Sequence, residues 1–273
     1  MVLRRSQLYV PGNNEKMIRK STELEADSVV LDLEDSVPMN QKGTSRELIR
    51  RLVNELDWGK KELAIRINSY KTLEGLRDLA ILKDIDKVRL VLVPKAEEDM
   101  SFIYNALEIA IEPIVETAKG LLKIEELASS KGVEAITWGP ADLALSVGGN
   151  ANVYKDNQFI RTLVVVTAKA YGLDAIDSVF FDLNNLKEFE QECRKAKELG
   201  FVGKQVIHPS QIVVANSIFS PTRNDIERAK KIVQAYEEAK RLGKGAIRFE
   251  GQMIDYVHYA TAKKLLEQIG EKP

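Results

Sequence analysis

The chain has 273 residues, of which 44% are hydrophobic and 30% are charged, and its formal net charge is −1. This balance of mixed charges argues against a nucleic acid or an anionic membrane as the partner. The single cysteine, Cys193, excludes an internal disulfide and no apolar run approaches a membrane span, so we expect a cytoplasmic protein with a full hydrophobic core.

Short apolar runs alternate with helix-patterned segments along most of the chain. The predicted strands are 7–10, 28–33, 63–67, 88–93, 111–115, 135–138, 173–176 and 202–207. Strand-then-helix units that show no sequence repeat predict a (β/α)₈ TIM barrel, an α/β fold, over residues 1–218. A doubly wound sheet is the competing architecture, but no Gly-x-Gly-x-x-Gly motif opens the first helix.

The residues after the barrel form a predicted C-terminal helical extension, 219–273. Thr222 and Asp225 are spaced to cap a long amphipathic helix that ends at Gly243, and a last helix is expected over 256–269. Such a helix pair could pack on the barrel, close over it as a lid, or reach a neighbouring subunit as an arm.

Two acids follow neighbouring predicted strands within residues 111–143. Glu116 comes directly after the fifth strand, and Asp142 follows the sixth strand after a Gly139-Pro140 turn. Because parallel strands end at the same edge of a barrel, we expect both carboxylates at one mouth. Oxygen donors without a neighbouring His or Cys suit a hard cation such as Mg²⁺. The alternative is that each acid only caps a helix.

Most other unusual polar residues also fall at the C-terminal ends of predicted strands. They are Asp32, Glu34, Arg66, Lys95, Asp177 and His208. An Arg inside the apolar run AIRIN needs an anion, which is interpreted as a substrate carboxylate, with a neighbouring acid as the alternative. Lys95 is interpreted as a solvated residue at a helix start and not as a Schiff-base lysine, and His208 as a hydrogen-bonded structural residue. The acids at 32–35 are interpreted as supports around the metal.

Eight motifs, found in order along nearly the whole chain, carry a family resemblance. They are RSQLYVPGN (5–13), LDLEDSVP (31–38), IRIN (65–68), VPKAE (93–97), PIVETAKG (113–120), WGPADLA (138–144), GKQVIHPSQI (203–212) and FEGQMID (249–255). With them the chain resembles the β subunit of citrate lyase and its stand-alone relatives, the malyl-CoA and citramalyl-CoA lyases of the HpcH/HpaI aldolase superfamily. The resemblance implies a TIM barrel that assembles as a homotrimer or hexamer.

The same resemblance implies roles for individual residues. Glu116 and Asp142 match the Mg²⁺ ligands of the family, with Mn²⁺ as a possible substitute, and Arg66 matches the Arg that holds the carboxylate end of the substrate. The remaining matches are Glu34 and Asp35 beside the metal site, Tyr9, Pro11 and Lys16 near coenzyme A, and Asp255 as the acid of an arm that closes over a neighbouring barrel. One departure is that Tyr256 and Val257 follow Asp255, where the family often has a small residue and Pro.

The chemistry implied by the resemblance is reversible cleavage of a 3-hydroxyacyl-CoA thioester to acetyl-CoA, or propionyl-CoA, and a 2-oxo acid. Arg66, Glu34 and Asp255 are the residues assigned to catalysis, with Asp255 transferring a proton at the enolate carbon. Malyl, methylmalyl, citramalyl and citryl thioesters all stay open as substrates. The alternatives are a citrate lyase β-type subunit acting on an acyl-carrier partner, a metal-dependent 2-oxo-acid aldolase acting on free acids, and a non-catalytic oligomeric binding protein.

Overall fold

The computed structural model describes residues 2–268 and 270–271 and contains a closed barrel of parallel strands in chain order. The strands are β1 (Ser6–Pro11), β2 (Ser28–Asp32), β3 (Glu62–Arg66), β4 (Leu90–Val93), β5 (Ala110–Val115), β6 (Ala135–Trp138), β7 (Asp174–Asp177) and β8 (Gly203–Val206). The cylinder closes because β1 pairs with both β2 and β8. The prediction of a (β/α)₈ barrel is confirmed.

Alternation along the strands separates two apolar regions. On β1, Leu8 and Val10 belong to the large core that includes helix residues such as Ile18 and Ile49. Tyr9 packs instead with the small interior cluster that contains Val30. This alternation follows from the strand period of two, and it places every second side chain inside the barrel.

Helices surround the barrel, and two segments of the chain depart from the prediction. The helices are α1 (Glu15–Ser21), α2 (Lys42–Glu55), α3 (Leu73–Leu82), α4 (Ser101–Leu107), α5 (Ala118–Leu122), α6 (Ile124–Ser129), α7 (Pro140–Val147), α8 (Ala151–Lys155), α9 (Gln158–Ala170), α10 (Leu186–Leu199) and α11 (Pro209–Phe219), with a 3₁₀ turn at Met39–Gln41. The apolar spacing of residues 121–128 predicts one helix between the fifth and sixth strands, but this segment is divided between α5 and α6 at Lys123. The polar composition after Gly149 predicts a loop, but the segment contains α8, because the Asn150 side chain caps its first turn.

The residues from Ser220 onward form a second compact unit. Its elements are α12 (Arg223–Arg241), β9 (Ile247–Phe249), β10 (Gln252–Ile254) and α13 (Tyr256–Gln268). The expected capping box of Thr222 and Asp225 is present at the start of α12. The division of the chain into a catalytic barrel domain 1–218 and a C-terminal extension 219–273 stays a prediction.

A hairpin, which the sequence analysis did not predict, precedes the last helix. β9 and β10 are antiparallel, and the residues between them, Glu250 and Gly251, both have positive φ angles of 47° and 82°. Two consecutive left-handed residues are the geometry of a tight hairpin turn, which the Glu-Gly pair supplies. None of the helices in the described ranges is both long and apolar enough to cross a lipid bilayer.

A buried acid lies inside the barrel, below its mouth. Gln7 of β1 donates from Nε2 to Glu112 Oε2 on the opposite strand β5, at 2.6 Å. Within the part of the chain that the structure describes, Gln7 Oε1 and Glu112 Oε1 are buried and have no hydrogen-bond partner. Burial raises the pKa of Glu112 to about 8. This carboxyl group is therefore mostly protonated at neutral pH.

We expect Glu112→Gln to change how stability depends on pH. The pKa of Glu112 is about 8 in the fold against an ordinary 4.5, so folding takes up a proton between these values. The contribution of Glu112 to stability is thus greatest at low pH and is lost as the pH rises towards 8. Urea unfolding is measured at about pH 5, 7 and 9. The free energy of unfolding of Glu112→Gln should increase relative to that of the wild type as the pH rises.

The exposed Glu125, changed to Gln, is the control for this experiment. It should follow the wild-type pH profile throughout, because an exposed side chain changes its surroundings little on folding. Parallel pH profiles for Glu112→Gln and the wild type would contradict a protonated Glu112.

Candidate active site

A cavity of about 420 Å³ lies at the C-terminal ends of the barrel strands. Its lining contains six of the predicted site residues, which are Tyr9, Pro11, Asp35, Arg66, Glu116 and Asp142. Side chains that are up to 133 positions apart in sequence thus meet, since each follows or ends a strand of one closed sheet. The apolar part of the lining includes Ile114, Val179 and Ile207. A cavity with grouped charges and an apolar wall suits a small molecule.

Arg66, at the end of β3, is held mainly by a neighbouring acid. Its Nε and Nη2 each donate to one oxygen of Asp32, both at 2.7 Å. Its Nη1 lies 3.1 Å from Glu34 Oε2, and the guanidinium carbon is 5.1 Å from the centre of the Tyr9 ring. The neighbouring acid that was the alternative anion for Arg66 is therefore present, and a role in binding substrate stays a prediction. Asp32 fixes the orientation of the guanidinium group at the cavity wall.

The pair of Arg66 and Asp32 is buried, with side-chain exposures of 13% and 2%. Burial alone would raise the pKa of Asp32, but the hydrogen bonds and charge of Arg66 outweigh it, and the pKa lies below its usual value. Asp32 is consequently a carboxylate that depends on its partner.

We expect Arg66→Met to destabilise the fold by about 3 kcal/mol, because it leaves Asp32 as a buried charge without its partner. Urea unfolding measures the change. Arg50→Met is a matched control, since Arg50 pairs with Glu47 at 2.8 Å but both side chains are more than half exposed. Arg50→Met should lower the free energy of unfolding by about 1 kcal/mol or less. Equal losses of unfolding free energy in the two variants would show that the buried pair of Arg66 and Asp32 stabilises the fold no more than an exposed pair does.

Glu116, directly after β5, is buried and receives a backbone hydrogen bond. Its Oε1 accepts from the backbone N–H of Lys95 at 2.8 Å. The next helix, α5, is capped by Thr117, so the alternative that Glu116 serves as a helix cap is wrong. Burial and the charges of Glu34 and Asp142 raise the pKa of Glu116 to about 8. An excess of negative charge is thus gathered around this carboxyl group.

The interpretation of Lys95 as a residue at a helix start is wrong, because it lies in the turn after β4 and the next helix begins at Ser101. Its side chain is 37% exposed but is paired with an acid. Its Nζ lies 2.6 Å from Glu34 Oε1 and 3.9 Å from Glu116 Oε1. Proximity to two acids could not be read from the sequence, since Glu34 follows β2 and Lys95 follows β4. The available signal was its position at the end of a strand, which it shares with the other residues of the mouth.

Gly139 leaves the space that the Glu116 carboxylate occupies. A Cβ atom at position 139 would lie 2.6 Å from Glu116 Oε2 and 2.9 Å from Glu116 Cβ. Asp142 lies in the first turn of α7, which starts directly after Gly139. The Gly-Pro turn therefore brings the backbone close to one acid and begins the helix that carries the other.

The oxygen donors of the cavity fit a hard divalent cation. Among the described residues, no group of three or more His, Cys, Asp and Glu side chains is arranged to hold a metal. Glu116 and Asp142, which both line the cavity, are the residues that would hold the cation, and Mg²⁺ commonly takes one or two protein carboxylates and completes its shell with substrate and water. A cation would also offset the like charges that raise the pKa of Glu116. Zinc, which prefers His and Cys, does not fit this donor set.

Comparison with known proteins identifies the family. The family described as HpcH/HpaI aldolase/citrate lyase matches residues 5–209. The chain belongs to this family. It is 37% identical over 283 aligned residues to the mitochondrial citramalyl-CoA lyase of Rattus norvegicus, covering 93% of this chain and 82% of that protein. It is 31% identical to a (3S)-malyl-CoA thioesterase of Cereibacter sphaeroides, covering 96% of this chain and 93% of that protein.

A solved structure extends the similarity to the three-dimensional fold. The crystal structure of protein CitE from Mycobacterium tuberculosis, in complex with magnesium, acetoacetate and coenzyme A, matches with a TM-score of 0.83 at 30% identity. The match covers 97% of this chain and 98% of that one. The predicted resemblance to the HpcH/HpaI family is confirmed.

Three predicted site residues of this family member lie outside the cavity lining. Glu34 is buried. It contacts Arg66, which is a residue of the cavity lining, and it also contacts Lys95. Lys16 is an exposed residue of α1, whereas its neighbour Met17 lines the cavity. Asp255 belongs to the second unit, where its Oδ1 accepts from the Val257 N–H at 3.0 Å at the start of α13.

Asp177 and His208, two of the polar residues predicted at strand ends, form hydrogen bonds within the fold of this HpcH/HpaI family member. Asp177 is buried and binds Lys204 Nζ at 2.8 Å, Arg161 Nη2 at 3.0 Å and Trp138 Nε1 at 3.1 Å. His208 is exposed, and its Nδ1 lies 2.8 Å from Ser210 Oγ, which confirms the hydrogen-bonded interpretation. The buried network fixes the indole of Trp138, a residue of the cavity wall.

Gln205 is a lining residue that sequence reasoning missed. It lies on β8 inside the matched stretch GKQVIHPSQI, and its Nε2 donates to the Tyr9 hydroxyl at 2.8 Å. The sequence carried a weak signal, because an amide in a buried strand needs a polar partner. That partner is on β1, which only closure of the barrel brings next to β8.

Proposed function

We propose that the protein is a magnesium-dependent carbon–carbon lyase that reversibly cleaves a 3-hydroxyacyl-CoA thioester into acetyl-CoA and a 2-oxo acid. The observation that carries the proposal is the single cavity that brings Glu116, Asp142 and Arg66 together at the barrel mouth. A citramalyl-CoA lyase at 37% identity and a related structure that contains magnesium, acetoacetate and coenzyme A support it.

The proposed metal ligands are Glu116 and Asp142. When bound there, Mg²⁺ would polarise the oxygens of the substrate and stabilise negative charge that develops during cleavage. Arg66 would add a fixed positive charge at the carboxylate end of the substrate. Because Asp32 already holds the guanidinium group, this charge needs no reorganisation when the bond breaks.

Asp255 is proposed as the acid–base group. Its hydrogen bonds with His258 lower the pKa of Asp255, so the side chain is a carboxylate at neutral pH. A carboxylate suits removal of a methyl proton from acetyl-CoA in the condensing direction, and the same group returns a proton to that carbon in cleavage. As the resemblance implies, this acid would act on the barrel of a neighbouring subunit in a cytoplasmic homotrimer or hexamer.

The experiment that tests the proposed function is release of acetyl-CoA from malyl-, methylmalyl-, citramalyl- and citryl-CoA. We expect release from at least one thioester, its loss with EDTA, and its recovery with added Mg²⁺. Cleavage of the free acids alone would favour a 2-oxo-acid aldolase, and cleavage only on an acyl-carrier partner would favour a citrate lyase subunit. No cleavage of any of these substrates would contradict the proposal.

Gly139→Ala is expected to weaken Mg²⁺ binding by about tenfold while the barrel still folds. The added Cβ would lie 2.6 Å from Glu116 Oε2, so the carboxylate must move from its place beside Asp142. A displacement that costs about 1.4 kcal/mol of binding free energy corresponds to this factor. Calorimetric titration with Mg²⁺ measures it. Gly43→Ala is the control, because a Cβ there would meet nothing closer than 4.0 Å, and equal affinities for both variants would contradict the expectation.

A further inference from the structure

The backbone of Lys95 adopts an unusual conformation beside the proposed metal site. Its φ angle is 51°, in the left-handed region that side chains other than glycine avoid. In the described ranges, only Glu108 and Glu250 share this property among non-glycine residues. A left-handed residue of this kind costs roughly 1–2 kcal/mol and persists only where its surroundings impose it.

The backbone N–H of this residue binds Glu116. The Lys95 N–H is directed at Glu116 Oε1, at 2.8 Å, across the gap between the ends of β4 and β5. The second oxygen of Glu116 lies on the side of Gly139, a residue of the cavity lining. One oxygen is thus held by a backbone donor, and the other lies close to the backbone of Gly139 in the cavity wall.

The side chain of Lys95 acts on a different acid. Its Nζ is 2.6 Å from Glu34 Oε1, which is buried next to Arg66. The ammonium group therefore pairs mainly with Glu34, which is not among the residues of the cavity lining, and lies 3.9 Å from Glu116 Oε1. The short contact of the side chain and the hydrogen bond of the backbone N–H thus go to different carboxylates.

We propose that Lys95 is a positioning residue for the metal: its backbone N–H, held in a turn with a left-handed φ at Lys95, fixes Glu116 by one oxygen and so presents the other oxygen to the cation. This inference rests on the proposed metal site and goes beyond it, because Lys95 itself is not a ligand. The left-handed geometry is the necessary feature, and the ammonium group is not required for it.

The test compares Lys95→Gly with Lys95→Val. Both variants lose the ammonium group, and both keep the backbone N–H. Glycine accepts a φ of 51° without strain, whereas a β-branched side chain strongly disfavours it. We expect Lys95→Gly to bind Mg²⁺ at least as tightly as the wild type, because a nearby positive charge is gone. Lys95→Val should bind Mg²⁺ about tenfold more weakly than Lys95→Gly.

Glu108 supplies the matched control pair. It has a φ angle of 55°, is exposed, and precedes β5 at the opposite end of the barrel from Lys95. Glu108→Gly and Glu108→Val should therefore differ in thermal stability and not in Mg²⁺ affinity. Titration calorimetry with Mg²⁺ and thermal unfolding are measured on all variants. At saturating Mg²⁺, the turnover of Lys95→Val should return towards that of Lys95→Gly, which loss of folding would not allow.

The outcomes separate this inference from the proposed function. Equal Mg²⁺ affinities for Lys95→Gly and Lys95→Val, with wild-type binding intact, would overturn the positioning role and leave the lyase proposal standing. A Lys95→Gly variant as weak as Lys95→Val would overturn it as well, because the ammonium group would then carry the effect. A wild type that neither binds Mg²⁺ nor cleaves a thioester would overturn both.

Discussion

Glu116→Gln is expected to lose measurable Mg²⁺ binding and about 10³-fold in kcat/KM. The amide keeps the size of the side chain but removes the charge that would hold the cation. A metal that stabilises developing charge contributes several kcal/mol to the transition state, and each 1.36 kcal/mol is a factor of ten in rate. Calorimetric titration and a thioester cleavage assay measure the two losses.

Glu112→Gln is the matched control for this prediction. Both acids belong to the same segment of chain, both are buried, and burial is the first cause that raises the pKa of each to about 8. Only Glu116 lines the cavity. Glu112→Gln should therefore keep Mg²⁺ affinity and turnover close to those of the wild type. If both variants lost activity to the same extent, the loss would be explained by the change of a buried acid in general, and not by a metal site at Glu116.

Asp255→Asn is expected to keep Mg²⁺ binding and to lose turnover by about 10²- to 10⁴-fold, the usual contribution of general acid–base catalysis. Because the overall equilibrium constant is fixed, kcat/KM must fall by the same factor in cleavage and in condensation. Exchange of the methyl protons of acetyl-CoA with deuterated water reports the proton step directly and should fall in parallel.

Asp225→Asn is the control for the second unit. Asp225 is also an acid at a helix start, where it completes the capping box of α12. Its replacement should cost some stability and leave turnover unchanged. Unchanged turnover in Asp255→Asn would remove this acid from the proposed mechanism, and loss of Mg²⁺ binding would mean that Asp255 serves the metal site.

The sequence predicted the barrel well because its local patterns are strong and consistent. Most strands are short apolar runs bounded by turn residues, although β8 has the polar sequence GKQV. Predictions failed where short-range signals compete. The break at Lys123 and the hairpin around Glu250 and Gly251 depend on single turns, which apolar periodicity does not report.

The sequence predicted individual residues of the site, but it did not predict the contacts between their side chains. The positions of Glu116, Asp142 and Arg66 after their strands were sufficient to place them at one mouth. The pairing of Arg66 with Asp32 was recognised only as an alternative. The contact of Lys95 with Glu34 was missed, because it joins the ends of β2 and β4, which are not adjacent in the sheet.

By itself, then, the sequence determined which side chains reach the rim of the barrel, because the strand period and the strand ends are local properties of the chain. Only the tertiary structure decided which charges neutralise one another there. Closure of the sheet sets the distances between strands, and burial removes the water that would otherwise screen the charges. The raised pKa of Glu116 is a product of that closure, since burial and the acids Glu34 and Asp142 from other segments cause it.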